Sequence, residues 1–140
     1  MAKRILVIED YLSTVRFLTY TLEQEGFQTS VARNGIEGLK KAQEEKPDLI
    51  ILDVMLPGLD GFELCRRLRA DEETARMPIL MLSAKIHEVD RATGLRMGAD
   101  MYMSKPALPE KIVAAVKSTL DKTTRTTDPT ASKMTAERFT

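Results

Sequence analysis

The sequence predicts an α/β fold of doubly wound type, a parallel sheet sandwiched between helices. Three observations predict it. Short, nearly continuous apolar runs recur along the chain, stretches of helical periodicity separate them, and acid, hydroxyl and lysine side chains follow the runs. Runs of this length and character suit strands buried on both faces, as in parallel sheets. Strand and helix in strict alternation imply right-handed crossovers.

The first run, Ile5-Leu6-Val7-Ile8, follows Met1-Ala2-Lys3-Arg4 directly. Leu12, Val15, Leu18 and Leu22 then recur at spacings of three and four, which predicts the first helix. Gln28-Thr29-Ser30-Val31-Ala32 alternates polar and apolar and suits an edge strand. Ile36, Leu39 and Ala42 mark a helix that Lys46-Pro47 ends. Leu49-Ile50-Ile51-Leu52 is the third strand, followed after Gly61 by a helix carrying Phe62, Cys65 and Leu68. Ile79-Leu80-Met81-Leu82 is the fourth strand, and Val89, Ala92 and Leu95 mark the next helix, which Gly98 closes. Met101-Tyr102-Met103 is a weaker fifth strand, and Leu108, Ile112, Ala115, Val116 and Leu120 trace the last helix. The expected domain is 1–121. Residues 122–140 read as a flexible tail or linker stub, because seven of the last twenty residues are Thr and few are apolar. A short helix over Met134 to Phe139 is the one element expected there.

The 140 residues fit one domain. Basic and acidic residues number 21 each, so net charge gives no electrostatic footprint for nucleic acid, and no direct nucleic-acid contact is expected. The single cysteine, Cys65, excludes an internal disulfide framework and a cysteine-based metal site. No stretch approaches the ~20 apolar residues of a membrane helix. With no signal peptide read at the N-terminus, the expected location is cytoplasmic.

Chemistry gathers where the strands end. The first ends in Glu9-Asp10, the third in Asp53, the fourth in Ser83-Ala84, and the fifth leads into Ser104-Lys105-Pro106. Parallel strands collect these groups on one sheet edge, where open α/β sheets bind ligands. Adjacent strands lie ~4.8 Å apart. If the first and third strands are neighbours, Glu9, Asp10 and Asp53 crowd one cleft and demand a cation or a raised pKa. An incomplete shell of oxygen donors suits Mg²⁺, which keeps waters and takes phosphate oxygens. Lys105 adds positive charge. A carboxylate between a divalent ion and a lysine is a plausible phosphoryl acceptor.

The stretches Ile5-Leu-Val-Ile-Glu9-Asp10, Asp53-Val-Met-Leu-Pro57-Gly-Leu-Asp60-Gly61, Met81-Leu-Ser83-Ala84 and Gly98-Ala-Asp100-Met-Tyr102-Met-Ser-Lys105-Pro106 together resemble the response-regulator receiver family of two-component signalling. The match spans roughly residues 3–121. The resemblance implies a flavodoxin-like (βα)5 sheet in strand order 2-1-3-4-5. It implies that Asp53 is the phosphoacceptor. Asp10, Asp53 and the Met55 backbone carbonyl would be Mg²⁺ ligands, with Glu9 acting through a water. Lys105 would pair with the phosphoryl group and Ser83 would move to hydrogen-bond it. Tyr102 would be the aromatic switch, and Lys105-Pro106 a cis bond. The implied donor is a sensor histidine kinase or phosphotransfer protein. The implied output is a protein bound on the face built from the fourth helix, fifth strand and fifth helix.

Within the family, the Asp53 stretch resembles receivers of winged-helix transcription regulators, which usually dimerise through charge pairs on that face. Arg91 is present, but Met101, Lys111 and Ala115 stand where an Asp, a Glu and an Arg are usual. The expectation is a mainly monomeric stand-alone receiver, with a phosphorylation-dependent dimer as the alternative.

Plainer readings accompany each residue. Asp10 alone would suit a helix cap, Lys105 a solvated surface lysine, Ser83 a turn residue and Tyr102 a half-buried strand aromatic. Asp60-Gly61 suits a turn and a helix start, Cys65 the core, and His87, the sole histidine, the surface. Tyr11, Lys85 and the Met55 side chain border the expected cleft. Three functions compete: a phosphoacceptor switch, a receiver-fold binding module that is never phosphorylated, and a phosphatase passing through an aspartyl phosphate. A separate enzymatic activity is not expected, since no second acid is placed as general acid beside Asp53. A receiver fragment of a DNA-binding regulator is a further alternative.

Overall fold

In the computed structural model, which describes residues 2–84 and 88–126, strand and helix alternate five times. The elements are β1 (Arg4–Ile8), α1 (Leu12–Gln24), β2 (Gln28–Ala32), α2 (Gly35–Glu45), β3 (Leu49–Leu52), α3 (Gly61–Ala70), β4 (Ile79–Ser83), α4 (Glu88–Arg96), β5 (Met101–Ser104) and α5 (Pro109–Thr126). All strand pairs are parallel and the order is β2-β1-β3-β4-β5. The alternating strand, β2, is an edge strand as expected.

The period of two along each strand divides the core into two layers. Leu6, Ile8, Ile50, Leu52, Ile79 and Met81 face α2 and α3, where Ala42, Leu64, Cys65 and Leu68 are buried. Ile5, Val7, Leu49, Ile51, Leu80 and Leu82 face α1 and α5, meeting Leu18, Leu22, Ile112 and Val116. Each such fully buried aliphatic side chain contributes ~1.5–3 kcal/mol of transfer free energy. Because both faces are covered, β1, β3 and β4 read as unbroken apolar runs.

Local signals set the helix ends. Asn34 and Asp60 cap α2 and α3, accepting from the backbone N–H of Glu37 at 2.8 Å and Glu63 at 2.9 Å. Lys46, in the left-handed region before Pro47, ends α2. The Lys105–Pro106 bond is cis.

Packing adds detail to α4 and α5 that the helical pattern leaves open. Ala92 and Leu95 do not form the buried face of α4: both are exposed, and Gly94 is the residue turned onto the sheet. At position 94 the Tyr102 ring and Met81 lie so close that they leave no room for a Cβ. Ala115 lies on the apolar face that the periodicity of α5 marks. It is buried beside Ile112 and Val116, so position 115 cannot supply a surface charge pair. α5 continues to Thr126, past residue 121. Lys85, His87 and the expected helix over Met134–Phe139 lie outside the described residues, as does the side chain of Val89. Among the described residues no helix is long and apolar enough to cross a membrane.

Candidate functional site: an acidic cleft at the strand ends

The strand order reverses direction between β1 and β3, and the acids stand at that point. Ile8 and Leu52 are register partners, and the Asp53 N–H donates to the Ile8 carbonyl at 3.0 Å. Pairing thus continues one step past β3 and holds Asp53 beside Glu9. On the far side, Ser83 pairs with Ser104, and the Lys105 N–H donates to the Ser83 carbonyl at 2.8 Å. Backbone pairing therefore delivers Glu9, Asp53, Ser83 and Lys105 to one edge.

Their side chains meet. Lys105 Nζ lies 3.3 Å from Asp53 Oδ2 and forms a close ion pair with Glu9. Asp53 Oδ1 accepts the Met55 N–H at 3.2 Å, and Glu9 Oε2 accepts the N–H groups of Asp10 at 3.0 Å and Tyr11 at 3.3 Å. Glu9 is 2% exposed and Asp53 7%. Burial pushes the Glu9 carboxyl above its usual range; Lys105 pulls it back, and the adjoining Asp53 carboxylate pushes it up again. A lysine shared by two buried carboxylates leaves net negative charge, the electrostatic condition for drawing in a cation.

Asp10 and Met55 line a cavity of about 460 Å³ together with Val54, Leu56, Pro57, Asp60 and Phe62. Asp10 is not the helix cap that its position allowed, since Tyr11 is the N-cap of α1 and no side chain caps it. Its carbonyl is instead held by Arg33, whose Nε and Nη2 donate at 3.2 and 2.6 Å. Among the described residues no three acid or imidazole side chains are arranged to ligate a metal. The carboxylates of Asp10 and Asp60 line the cavity, and an oxygen-bearing lining of this kind suits Mg²⁺, which keeps waters in its shell, better than Zn²⁺, which takes nitrogen and sulfur.

Ser83 is fully buried, and its side chain hydrogen-bonds that of Tyr102, whose ring is itself inside at 4% exposure. Burial pushes the Tyr102 hydroxyl up, and the bond to Ser83 works against it. Tyr11 and the Met55 side chain are exposed at the cleft's rim. Cys65 is core, and burial raises its thiol to about 11.

Residues absent from the sequence reading also shape the site. Arg33 was silent because it acts across 23 positions through a backbone carbonyl. Gly61 lies so close that a Cβ there would fall 2.3 Å from the Asp53 carbonyl oxygen. The Asp60-Gly61 pair hinted at a helix start, but not at contact with Asp53.

A family model described as response regulator receiver domain matches residues 5–117. The chain is 52% identical over 120 residues to the alkaline phosphatase synthesis transcriptional regulatory protein PhoP of Bacillus subtilis, covering 86% of this chain and 49% of PhoP. It is 46% identical over 120 residues to the DNA-binding response regulator MtrA of Mycobacterium tuberculosis, covering 86% and 51%. The chain thus spans about half the length of these curated relatives. Among solved structures, the receiver domain of a sensor histidine kinase from Pseudomonas aeruginosa PAO1, with magnesium coordinated in the active site cleft, superposes with a TM-score of 0.81 at 27% identity. That match covers 86% of this chain and 99% of the other.

Proposed function

The chain belongs to the response regulator receiver domain family, and on that premise we propose that it takes a phosphoryl group onto Asp53 and converts it into a change of its partner-binding face. The observation that carries this reading is the Lys105 ammonium shared between Asp53 and Glu9 beside the cavity lined by Asp10 and Met55.

The donor is the phosphohistidine of a sensor histidine kinase or a phosphotransfer protein. An Asp53 oxygen attacks phosphorus, the new O–P bond forms as the P–N bond breaks, and the departing imidazole takes a proton. The Met55 N–H and Lys105 hold the Asp53 carboxylate in place, so the attacking oxygen is preoriented. Lys105 then follows the charge onto the phosphoryl oxygens. Asp10, Asp53 and the Met55 carbonyl, with Glu9 through a water, would hold Mg²⁺, which would supply charge neutralisation for the transferring oxygens. Glu9 and its ties to the Asp10 and Tyr11 N–H groups fix the shape of that loop. The chemistry serves the protein's own Asp53 and no separate substrate.

The new charge of ~ −1.5 to −2 draws Ser83 toward the phosphoryl group. Ser83 and Tyr102 already share a hydrogen bond, so moving one moves the other. The consequence is read on the face of α4, β5 and α5. Phosphorylation shifts the population only as far as it favours one arrangement over the other.

The test is intact-mass analysis after incubation with acetyl phosphate and Mg²⁺. A lasting phosphoryl adduct is expected on wild type, none after chelation of Mg²⁺, and none on Asp53→Ala. An unmodified wild type would instead support a binding module that is never phosphorylated. A second reading concerns the output. Identity of 52% and 46% to regulators named for transcription and DNA binding favours delivery of the signal to a DNA-binding partner or domain.

A further inference from the structure

Glycine is among the poorest helix formers, yet Gly94 occupies the interior of α4 (Glu88–Arg96). Its neighbours supply the reason. A Cβ on Gly94 would lie 2.8 Å from the Tyr102 Cδ2, 3.2 Å from its Cε2 and 2.8 Å from the Met81 Sδ. Ordinary carbon contacts are ~3.5–4.0 Å. The Met81 thioether is a flexible side chain that can turn aside. The Tyr102 ring is a rigid plate, tied to the buried Ser83 by a hydrogen bond, and has little room to slide inward. Its route out of the clash is rotation about χ1 toward solvent.

We propose that Gly94 is the seat of the Tyr102 ring, and that the missing side chain at position 94 sets the balance between the inward and outward ring. Gly94 is a positioning residue: it touches neither Asp53 nor the cavity beside it. α4 presents Ala92 and Leu95 to solvent, and at Gly94 it comes close to the Tyr102 ring of β5. A ring that leaves takes that contact with it. The seat thereby links Ser83, at the phosphoryl end, to the outer surface of α4. Its value as a signalling device rests on the proposed function, whereas the seat itself is a feature of the unphosphorylated fold.

Ring-¹³C-labelled tyrosine NMR with a soluble paramagnetic agent reads the seat directly. Tyr11 and Tyr20, at 69% and 67% exposure, serve as internal references, and Tyr102→Phe assigns the third resonance. In wild type the Tyr102 ring should be protected. In Gly94→Ala its relaxation should rise several-fold, toward that of Tyr11 and Tyr20. Thermal melts supply a second readout that a merely structural role would not produce. Gly94→Ala should lower the Tm in the wild-type background and raise it in Tyr102→Ala, where the ring is gone, the flexible Met81 thioether can turn aside and the gain in helix propensity dominates. A protected Tyr102 ring in Gly94→Ala, or an equal fall in Tm in both backgrounds, overturns the proposal. Neither readout needs phosphate, so failure to detect an adduct on Asp53 would count against the proposed function and leave the seat to be decided on its own.

Discussion

Replacing Arg69 by Met removes a staple that joins three separate parts of the fold. Arg69 lies in α3. Its Nε donates to the Gly98 carbonyl at 2.8 Å, and its Nη1 to the carbonyls of Ala75 at 3.0 Å and Met77 at 2.5 Å. Its Nη2 pairs with Asp100 Oδ2 at 2.9 Å, and that same oxygen accepts the Ile79 N–H at 2.8 Å. One guanidinium thus closes the connection from α3 to β4 and the loop leading into β5. A hydrogen bond to a charged group contributes ~1.5–3 kcal/mol net, so four would sum to roughly 6–12 kcal/mol if independent. They share one side chain, and that side chain is 21% exposed with Asp100 at 33%, so water recovers part of the loss. We expect Arg69→Met to cost ~3–4 kcal/mol, against a total of ~5–15 kcal/mol for a typical domain. Urea unfolding should show a lower midpoint at unchanged m-value. Arg69→Lys should recover less than half, because an ammonium cannot reach several carbonyls in fork geometry. A loss below ~1 kcal/mol for Arg69→Met would show that water satisfies those carbonyls and that the staple is not what holds the loops.

Two further outcomes follow from single contacts. Gly61→Ala would place a Cβ 2.3 Å from the Asp53 carbonyl oxygen and 2.6 Å from the Val54 Cα, both backbone atoms that cannot turn aside. It should cost ~1–3 kcal/mol by overpacking and slow phosphorylation by acetyl phosphate; wild-type stability and rate would refute the close approach. Glu63, hydrogen-bonded by Arg66 and Arg67, has its carboxyl drawn down to about 2. A lowered folded-state pKa contributes stability above the unfolded value, lost as pH falls through about 2. A side-chain ¹³C titration should place its midpoint well below that of an ordinary glutamate, rising with added salt and in Arg66→Ala. An ordinary midpoint at low salt would refute the pairing.

Legibility varied with the distance over which each interaction acts. The runs Ile5–Ile8, Leu49–Leu52 and Ile79–Leu82 were readable as strands because burial on both faces writes itself into consecutive residues. Lys46-Pro47 and Asp60-Gly61 were readable as helix limits because capping is local. α4 was readable as a helix, but its buried side was not. Which side of a helix is buried depends on what lies beneath it, and here Gly94 is buried against Tyr102 and Met81 while Ala92 and Leu95 are exposed. Position 115 was legible in the apolar periodicity of α5, and packing beside Ile112 and Val116 takes it out of reach of a surface charge pair.

For the site, Glu9, Asp10, Asp53, Ser83 and Lys105 were visible as polar groups ending apolar runs. Their residue types and order already specify an acidic, lysine-bearing edge on a parallel sheet. That part was determined by sequence alone, because strand burial and chain direction are set by side chains close together along the chain. Tertiary structure alone decided that Lys105 bridges Asp53 and Glu9, that Arg33 pins the Asp10 carbonyl, and that Tyr102 lies inside under a glycine. Those contacts join residues far apart in the chain, and whether they form depends on the register and packing of elements that no local pattern encodes.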